Sequence, residues 1–277
     1  MDMENNSDSQ KLTDINNELD KVSKMLVHRD RELSRVTHQA LQVDELKSEF
    51  VSTVAHQLRT PLAGNKWILS MLANGELGAI NEEQKAFIVK VYNSNERMVT
   101  LVSELLDIDR VTTNRIKYTF VETDIFTLIN KALAELSPSV AVKGIKISVE
   151  GRDSGVPKVF IDVAKIAAVL ENLLDNATKY TLGSGDIIIK VEKEDNHIKL
   201  SVKDTGIGIP KNVQNKIFTL FYRAPNATQV EIDGSGAGLY LSKKILNKHG
   251  TDIWFESEEG KGSTFYITLP TRPFKES

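Results

Sequence analysis

Phe50-Val-Ser-Thr-Val-Ala-His-Gln-Leu-Arg-Thr-Pro-Leu62 is the stretch on which the reading of this chain turns, because a seven-residue repeat leads into it and delivers His56. Counting back, apolar residues recur at Leu12, Ile15, Leu19, Val22, Leu26, Leu33, Val36, Ala40, Val43, Phe50 and Val54. Their steps of three and four are those of a coiled-coil seam. His56 falls just off that seam, on a rigid support yet open to solvent. An imidazole so placed suits a group that something large must reach.

The heptad segment holds almost no glycine or proline and predicts a continuous helix over about Leu12 to Asp44. Such a helix is roughly 50 Å long at about 1.5 Å per residue. It cannot cover its own stripe, so a parallel homodimer through that stripe is expected. Arg29 and Lys47 fall at seam positions, where their stems can snorkel outward or keep the seam only marginally stable. Beyond Asp44 the helix runs on through Pro61, expected to bend it, to about Ala73. Asn74 to Gly78 supplies a turn, and Asn81 with Gln84 forms a capping box opening a second helix to about Asp109. Two such hairpins from two chains make a four-helix bundle.

The 277 residues, 40% hydrophobic, suffice for domains with proper cores. No run approaches 18 apolar residues and no signal-peptide pattern opens the chain, so a cytoplasmic setting is expected, including the cytoplasmic part of a membrane receptor. The lack of cysteine removes disulfides, thiol chemistry and sulfur ligands for zinc. A net charge of -3 without a basic stripe argues against nucleic acid.

After about Thr112 the pattern changes to mixed α and β. Strands are predicted at Ile116 to Phe120, Ile145 to Val149, Asp186 to Glu192, Ile198 to Lys203, Asp252 to Glu256 and Ser263 to Leu269. Helices are predicted at Asp124 to Leu136, Val163 to Tyr180 and Gly236 to His249, layered on one sheet face. Of the remaining histidines, His28 and His38 take outer heptad positions and His197 follows a hairpin turn. His249 precedes Gly250 at a helix C-terminus, where a positive charge is favoured.

Asn172 and Asn176 share one face of the predicted helix at i and i+4, beside an apolar stripe of Leu170, Leu173, Leu174 and Ala177. Two helical asparagines are more often solvated or capping residues. Their amide oxygens are nonetheless hard ligands suited to Mg2+, which takes the rest of its shell from water and phosphate. Lys179 and Tyr180 are then placed for phosphate and ribose. Asp204-Thr-Gly-Ile-Gly-Ile-Pro210 sets a carboxylate beside Gly206 and Gly208 after a strand. It reads either as a tight turn or as an acceptor for an exocyclic amine with glycines that let a base lie flat. Asp233-Gly-Ser-Gly-Ala-Gly-Leu239 offers Gly234, Gly236 and Gly238 before Leu239 at a helix start, an anion-binding geometry. Its GxGxG spacing is neither the dinucleotide fingerprint nor a Walker sequence. Ile217 to Arg223 and the polar loop to Asp233 read as a lid on aromatic anchors. Arg223 is either a phosphate ligand or a surface residue stacked on Tyr222.

In this order the motifs resemble those of sensor histidine kinases: Phe50 to Leu62 the H-box, Asn172 to Tyr180 the N-box, Asp204 to Pro210 the G1 box, Phe218 to Arg223 the F-box and Gly234 to Leu239 the G2 box. The resemblance covers about Glu45 to Pro270. With the heptad segment read as a coiled coil over 1–44, it implies a dimerisation and histidine-phosphotransfer bundle over 45–112 and a Bergerat-type α/β sandwich that binds ATP over 113–277. It further implies that His56 takes the γ-phosphoryl group of ATP and passes it to an aspartate of a response regulator. Metal binding is implied for Asn172 and Asn176, and adenine recognition for Asp204. Phosphoryl transfer of this kind needs alignment and charge stabilisation, and a neutral imidazole nitrogen yields a labile N–P bond. The chain departs from the family at Gln57, where an acidic residue is usual, and at Thr251, where glycine is common. Thr60 matches the position that orients a hydrolytic water in relatives with phosphatase activity. An ATPase of the same superfamily without a phospho-intermediate, and a nucleotide-binding dimeric scaffold, are the competing readings.

Overall fold

The computed structural model describes residues 2–113, 117–152, 154–231 and 234–273. It divides into two compact units, Met1–Val54 and Ala55–Ser277. The described residues of the first unit are helical throughout, formed by the larger part of α1 (Asp2–Ala73). Its seam residues Leu19, Leu26, Leu33, Val43 and Phe50 are all at least 62% exposed. A lone chain leaves that stripe uncovered. Side chains of the seam positions Leu12, Ile15, Val22 and Ala40 lie outside the described ones.

In the second unit, α1 runs unbroken through Pro61 and ends at Ala73. The turn forms where expected: the Glu76 N–H donates to the Met71 carbonyl at 2.9 Å. Gly75 and Gly78 take φ values of 77° and 121°, which favour glycine. Asn81 caps α2 (Glu82–Thr112). Its side chain accepts from the Gln84 N–H at 2.8 Å while Gln84 accepts from the Asn81 N–H at 2.9 Å. The capping box is complete, and the helix extends three residues past the expected Asp109. Buried Asn95 crosses the hairpin to donate to the Leu62 carbonyl at 3.0 Å.

The rest is a two-layer sandwich. Its elements are β1 (Phe120–Thr123), α3 (Ile125–Lys143), β2 (Lys146–Glu150), β3 (Val159–Asp162), α4 (Val163–Tyr180), β4 (Asp186–Lys193), β5 (His197–Asp204), a 3-10 turn over Lys211–Lys216, α5 (Pro225–Val230), α6 (Gly238–Lys248), β6 (Ile253–Glu258) and β7 (Gly262–Pro270). Strands run β2-β4-β5-β7-β6 in a five-stranded sheet, and β1 pairs with β3 in a separate antiparallel ribbon. β2 and β4 are parallel; the other neighbours in the large sheet are antiparallel. Alternation along β4 and β5 buries Ile187, Ile189, Val191, Ile198, Leu200 and Val202 against the Ile166, Leu170, Leu173 and Leu174 stripe of α4. The opposite sheet face carries residues such as Lys190 and a Trp254–Tyr266 stack at 5.5 Å.

Several expectations are corrected. Of the strand predicted at Ile116 to Phe120, Ile116 lies outside the described residues and residues 117–119 are not strand, so pairing begins only at Phe120. β3 was not foreseen because Val159-Phe-Ile-Asp162 abuts a helix whose apolar periodicity absorbs it. α3 passes the predicted end at Leu136 and continues through Pro138 to Lys143. Two bonds hold this last turn: Lys143 Nζ donates to the Thr178 and Lys179 carbonyls at 2.7 and 3.1 Å. The loop expected beyond Arg223 contains α5, with Pro225 in its first turn. The helix predicted over Gly236 to His249 is narrower, Gly238–Lys248.

Candidate functional site

α4 presents Asn172 and Asn176 on the side away from its buried stripe. The Asn172 Nδ2 donates to Ser242 Oγ of α6 at 3.0 Å, and the Asn176 Nδ2 reaches Asn172 Oδ1 at 3.5 Å. α4 and α6 approach so closely here that a Cβ at Gly238 would lie 2.0 Å from Asn172 Oδ1. This glycine is required by its neighbour. α6 begins at Gly238 with no side-chain cap, leaving its first N–H groups available to an anion. Asp233, which opens this motif in the sequence, lies outside the described residues.

Asp204 ends β5 and is buried. Its Oδ1 accepts from the Gly206 N–H at 2.8 Å and the Ser263 N–H at 3.2 Å. Burial pushes its carboxyl above the usual 3.8, and those two donors partly offset the rise. Gly206 and Gly208 each have close neighbours that a side chain would meet. A Cβ on Gly206 would stand 2.4 Å from the Tyr180 carbonyl, and one on Gly208, at φ 62°, 2.0 Å from the Glu258 carbonyl. The glycines let the loop pass between α4 and the β6–β7 turn. The Ile207 N–H donates to the Tyr180 carbonyl at 3.1 Å, fastening the loop to the end of α4.

Lys179 pairs with Asp175 one turn earlier at 2.6 Å. Burial works to lower its pKa, but the Asp175 and Glu231 carboxylates outweigh it and leave the ammonium raised. Arg223 is half-buried, not a bare surface residue. Its guanidinium donates to the Gly234 carbonyl at 2.9 Å, the Ala227 carbonyl at 3.4 Å and the Glu231 carbonyl, gathering the segment around α5. Leu239 is half-buried and packs on the hydrophobic core while lining the cavity. Phe218 anchors the base of the segment edge-on to Phe255 at 5.9 Å.

These groups surround one cavity of about 430 Å³. Asn172, Asn176, Lys179, Tyr180, Asp204, Gly208, Arg223, Gly234, Gly236, Gly238 and Leu239 all line it. Gly206 does not; it shapes the loop behind. The sequence reading missed Ser242, Ser263, Phe265, Asn226 and an α2 wall that includes Thr100 and Glu104. Ser242 was legible in principle, four residues after Gly238 and so on its face of α6. The α2 wall had no local signal. His56, Gln57 and Thr60 are exposed on α1, outside the cavity lining.

Residues 46–114 match the His Kinase A (phospho-acceptor) domain, and residues 161–273 match the Histidine kinase-, DNA gyrase B-, and HSP90-like ATPase domain. Together these two matches give the chain a phospho-acceptor domain and an ATPase domain of the kinds found in histidine kinases. The chain is 35% identical over 239 residues to the sensor histidine kinase WalK of Bacillus subtilis, covering 85% of this chain and 38% of that protein. It is 34% identical to a sensor protein kinase WalK of Staphylococcus aureus over 86% of this chain and 57% of that protein. The circadian input-output histidine kinase CikA of Synechococcus elongatus is 29% identical over 88% of this chain and 33% of its own length. The chain thus spans between a third and somewhat over half of these relatives. Among solved structures, full-length ShkA in complex with AMPPNP is similar with a TM-score of 0.65 and 27% identity, over 80% of this chain and 45% of that one. The Acinetobacter baumannii histidine kinase AdeS shares the fold, with a TM-score of 0.57 at 20% identity over 79% of this chain and 98% of that one. The second matched family is one of ATPases. Among the described residues no helix is long and apolar enough to cross a membrane.

Proposed function

We propose that this chain is a protein-histidine kinase that moves the γ-phosphoryl group of ATP to His56 and then to an aspartate of a response regulator receiver domain. The observation that carries the reading is the exposed imidazole of His56 in the same compact unit as the cavity between α4, α6 and the Asp204 loop. In the first transfer an N–P bond forms at an imidazole nitrogen and the bond from the γ-phosphorus to the bridging oxygen breaks, releasing ADP. In the second, the N–P bond breaks and an acyl phosphate forms on the aspartate.

Asp204 accepts the exocyclic amine of adenine through the carboxylate capacity that Gly206 and Ser263 leave unused. The uncapped start of α6 at Gly238, with Lys179 and Arg223, receives phosphate oxygens, and Tyr180 meets the ribose. Occupying Arg223 in this way requires it to exchange backbone carbonyls for phosphate. Asn172 and Asn176 hold Mg2+: their donor set of neutral amide oxygens is hard and sparse, which fits an ion that keeps water and phosphate in its shell. That ion supplies charge neutralisation for the phosphates. Gln57 orients the imidazole N–H without taking its proton, which leaves to water. Thr60, one turn on, serves dephosphorylation of the regulator. The uncovered seam of α1 supports a parallel homodimer, with the functional division at 1–44, 45–112 and 113–277.

Incubation with γ-labelled ATP and Mg2+ tests the reading. Acid-labile, alkali-stable label that disappears in His56→Ala is the expected result. Label that survives the substitution, or ATP hydrolysis alone, overturns it.

A further inference from the structure

His249 lies outside the nucleotide cavity and is fully buried, and none of the motifs read from the sequence gives it a role beyond a charge at a helix end. That charge is absent. Burial lowers its pKa below the ordinary 6.5, more than the Ile245 carbonyl and Asp162 raise it, and its hydrogen bonds are those of a neutral ring. Nδ1 donates to the Ile245 carbonyl at 2.8 Å, which leaves Nε2 as the acceptor of the Asp162 N–H at 3.1 Å.

Asp162 is a junction in its own right. As N-cap of α4 it accepts from the Lys165 N–H through Oδ1 at 3.1 Å, and its Oδ2 accepts from the Thr119 N–H at 2.8 Å. The segment that follows α2 therefore ends on the same residue. Tyr118 and Phe120 close over the His249 ring edge-on, with centroids at 5.6 and 5.0 Å. The titratable neighbours of the ring are Asp162 from β3 and Tyr118 from the approach to β1, whose hydroxyl is buried. His249 thus ties the C-terminus of α6 to the N-terminus of α4. Along those same two helices Gly238 meets Asn172, with less than a methyl group to spare.

We infer that the His249–Asp162 hydrogen bond is a positioning contact for nucleotide binding: it sets the register of α6 on α4, and Tyr118 and Thr119 fasten the segment after α2 to that register. A protonated ring presents a second donor to the Asp162 N–H and breaks the contact. The sign follows from linkage: the neutral ring's contribution is complete above pH 6.5 and is lost as pH falls through the depressed folded value.

The inference rests on the nucleotide reading, and full-length variants separate the two. His249→Phe keeps the aromatic contacts but offers no acceptor; His249→Gln keeps an acceptor and cannot titrate. In His249→Phe the Kd for ATP rises roughly tenfold, as expected for leaving a buried N–H unpaired, while phosphorylation at saturating ATP changes less. His249→Gln restores affinity at pH 8, and the ratio of wild-type to His249→Gln Kd climbs as pH falls below 6.5 through the depressed folded value. Every other titrating group cancels in that ratio. Folded His249→Phe protein with wild-type ATP affinity, or a ratio flat with pH, overturns the inference while leaving the nucleotide reading intact. A wild-type chain that binds no ATP overturns both.

Discussion

α1 and α4 are both amphipathic helices, but they treat their apolar faces in opposite ways. α4 buries Ile166, Val169, Leu170, Leu173 and Leu174 to within 1% exposure inside one chain, whereas the α1 seam stands open at Leu19, Leu26, Leu33, Val36, Val43 and Phe50. A face covered by a sheet can hold ligand residues at a fixed distance from a neighbouring helix. A face that a single chain leaves bare cannot fix residues in this way.

That contrast can be broken from either side. The largest effect is expected at the closed face: Leu174→Ala should cost about 2–5 kcal/mol, read as a lowered urea midpoint, because the filled core cannot collapse around the loss. A cost below about 1 kcal/mol would mean that α4 is less firmly seated than its burial implies. Gly238→Ala comes next. Its Cβ would fall 2.0 Å from Asn172 Oδ1, so nucleotide affinity should drop by roughly tenfold or more by fluorescence titration, with the urea midpoint less affected. Unaltered affinity would show that α6 can move off α4 without penalty. At the open face, Leu33→Asp should raise the dimer dissociation constant by about tenfold in sedimentation equilibrium, since it places paired charges in an apolar seam. The same variant should leave ATP affinity of the second unit within about twofold; a larger change would dissolve the distinction between the two helices. The smallest effect belongs to Gln57→Glu. A carboxylate beside His56 can accept the proton that the amide cannot, and autophosphorylation should quicken several-fold at matched ATP. An equal or slower rate in the variant removes proton transfer from the list of steps Gln57 impedes.

Much of the fold was legible because its signals are local. The Asn81–Gln84 capping box, the glycine turn at Gly75 to Gly78, and the strict alternation of β4 and β5 each need only a few neighbouring residues to be read. The errors fall where a distant group overrules local preference. Proline argues for a helix end before Pro138, yet Lys143 finds its partners on α4, 35 and 36 residues away in sequence. A histidine next to a C-terminal glycine suggests a cation at a helix dipole, yet burial lowers the pKa of His249, and its Nε2 accepts from the Asp162 N–H, 87 residues earlier. The candidate site divides in the same way. Asn172, Asn176, Asp204 and the glycines were visible as motifs, whereas Ser242 as the partner of Asn172, Ser263 as a holder of Asp204, and the α2 wall were not.

The sequence alone determined the heptad, the exposed His56 beside it, and the order of a bundle followed by a nucleotide-binding sandwich. Period, capping and motif spacing are properties of neighbours along the chain, and they survive without coordinates. Only the tertiary structure decided what lies against the glycines, what Arg223 holds, and what His249 bonds to. Each of those answers depends on an approach of 2 to 3 Å between segments far apart in sequence. At that range packing and hydrogen-bond geometry dominate, and neither has a one-dimensional signature.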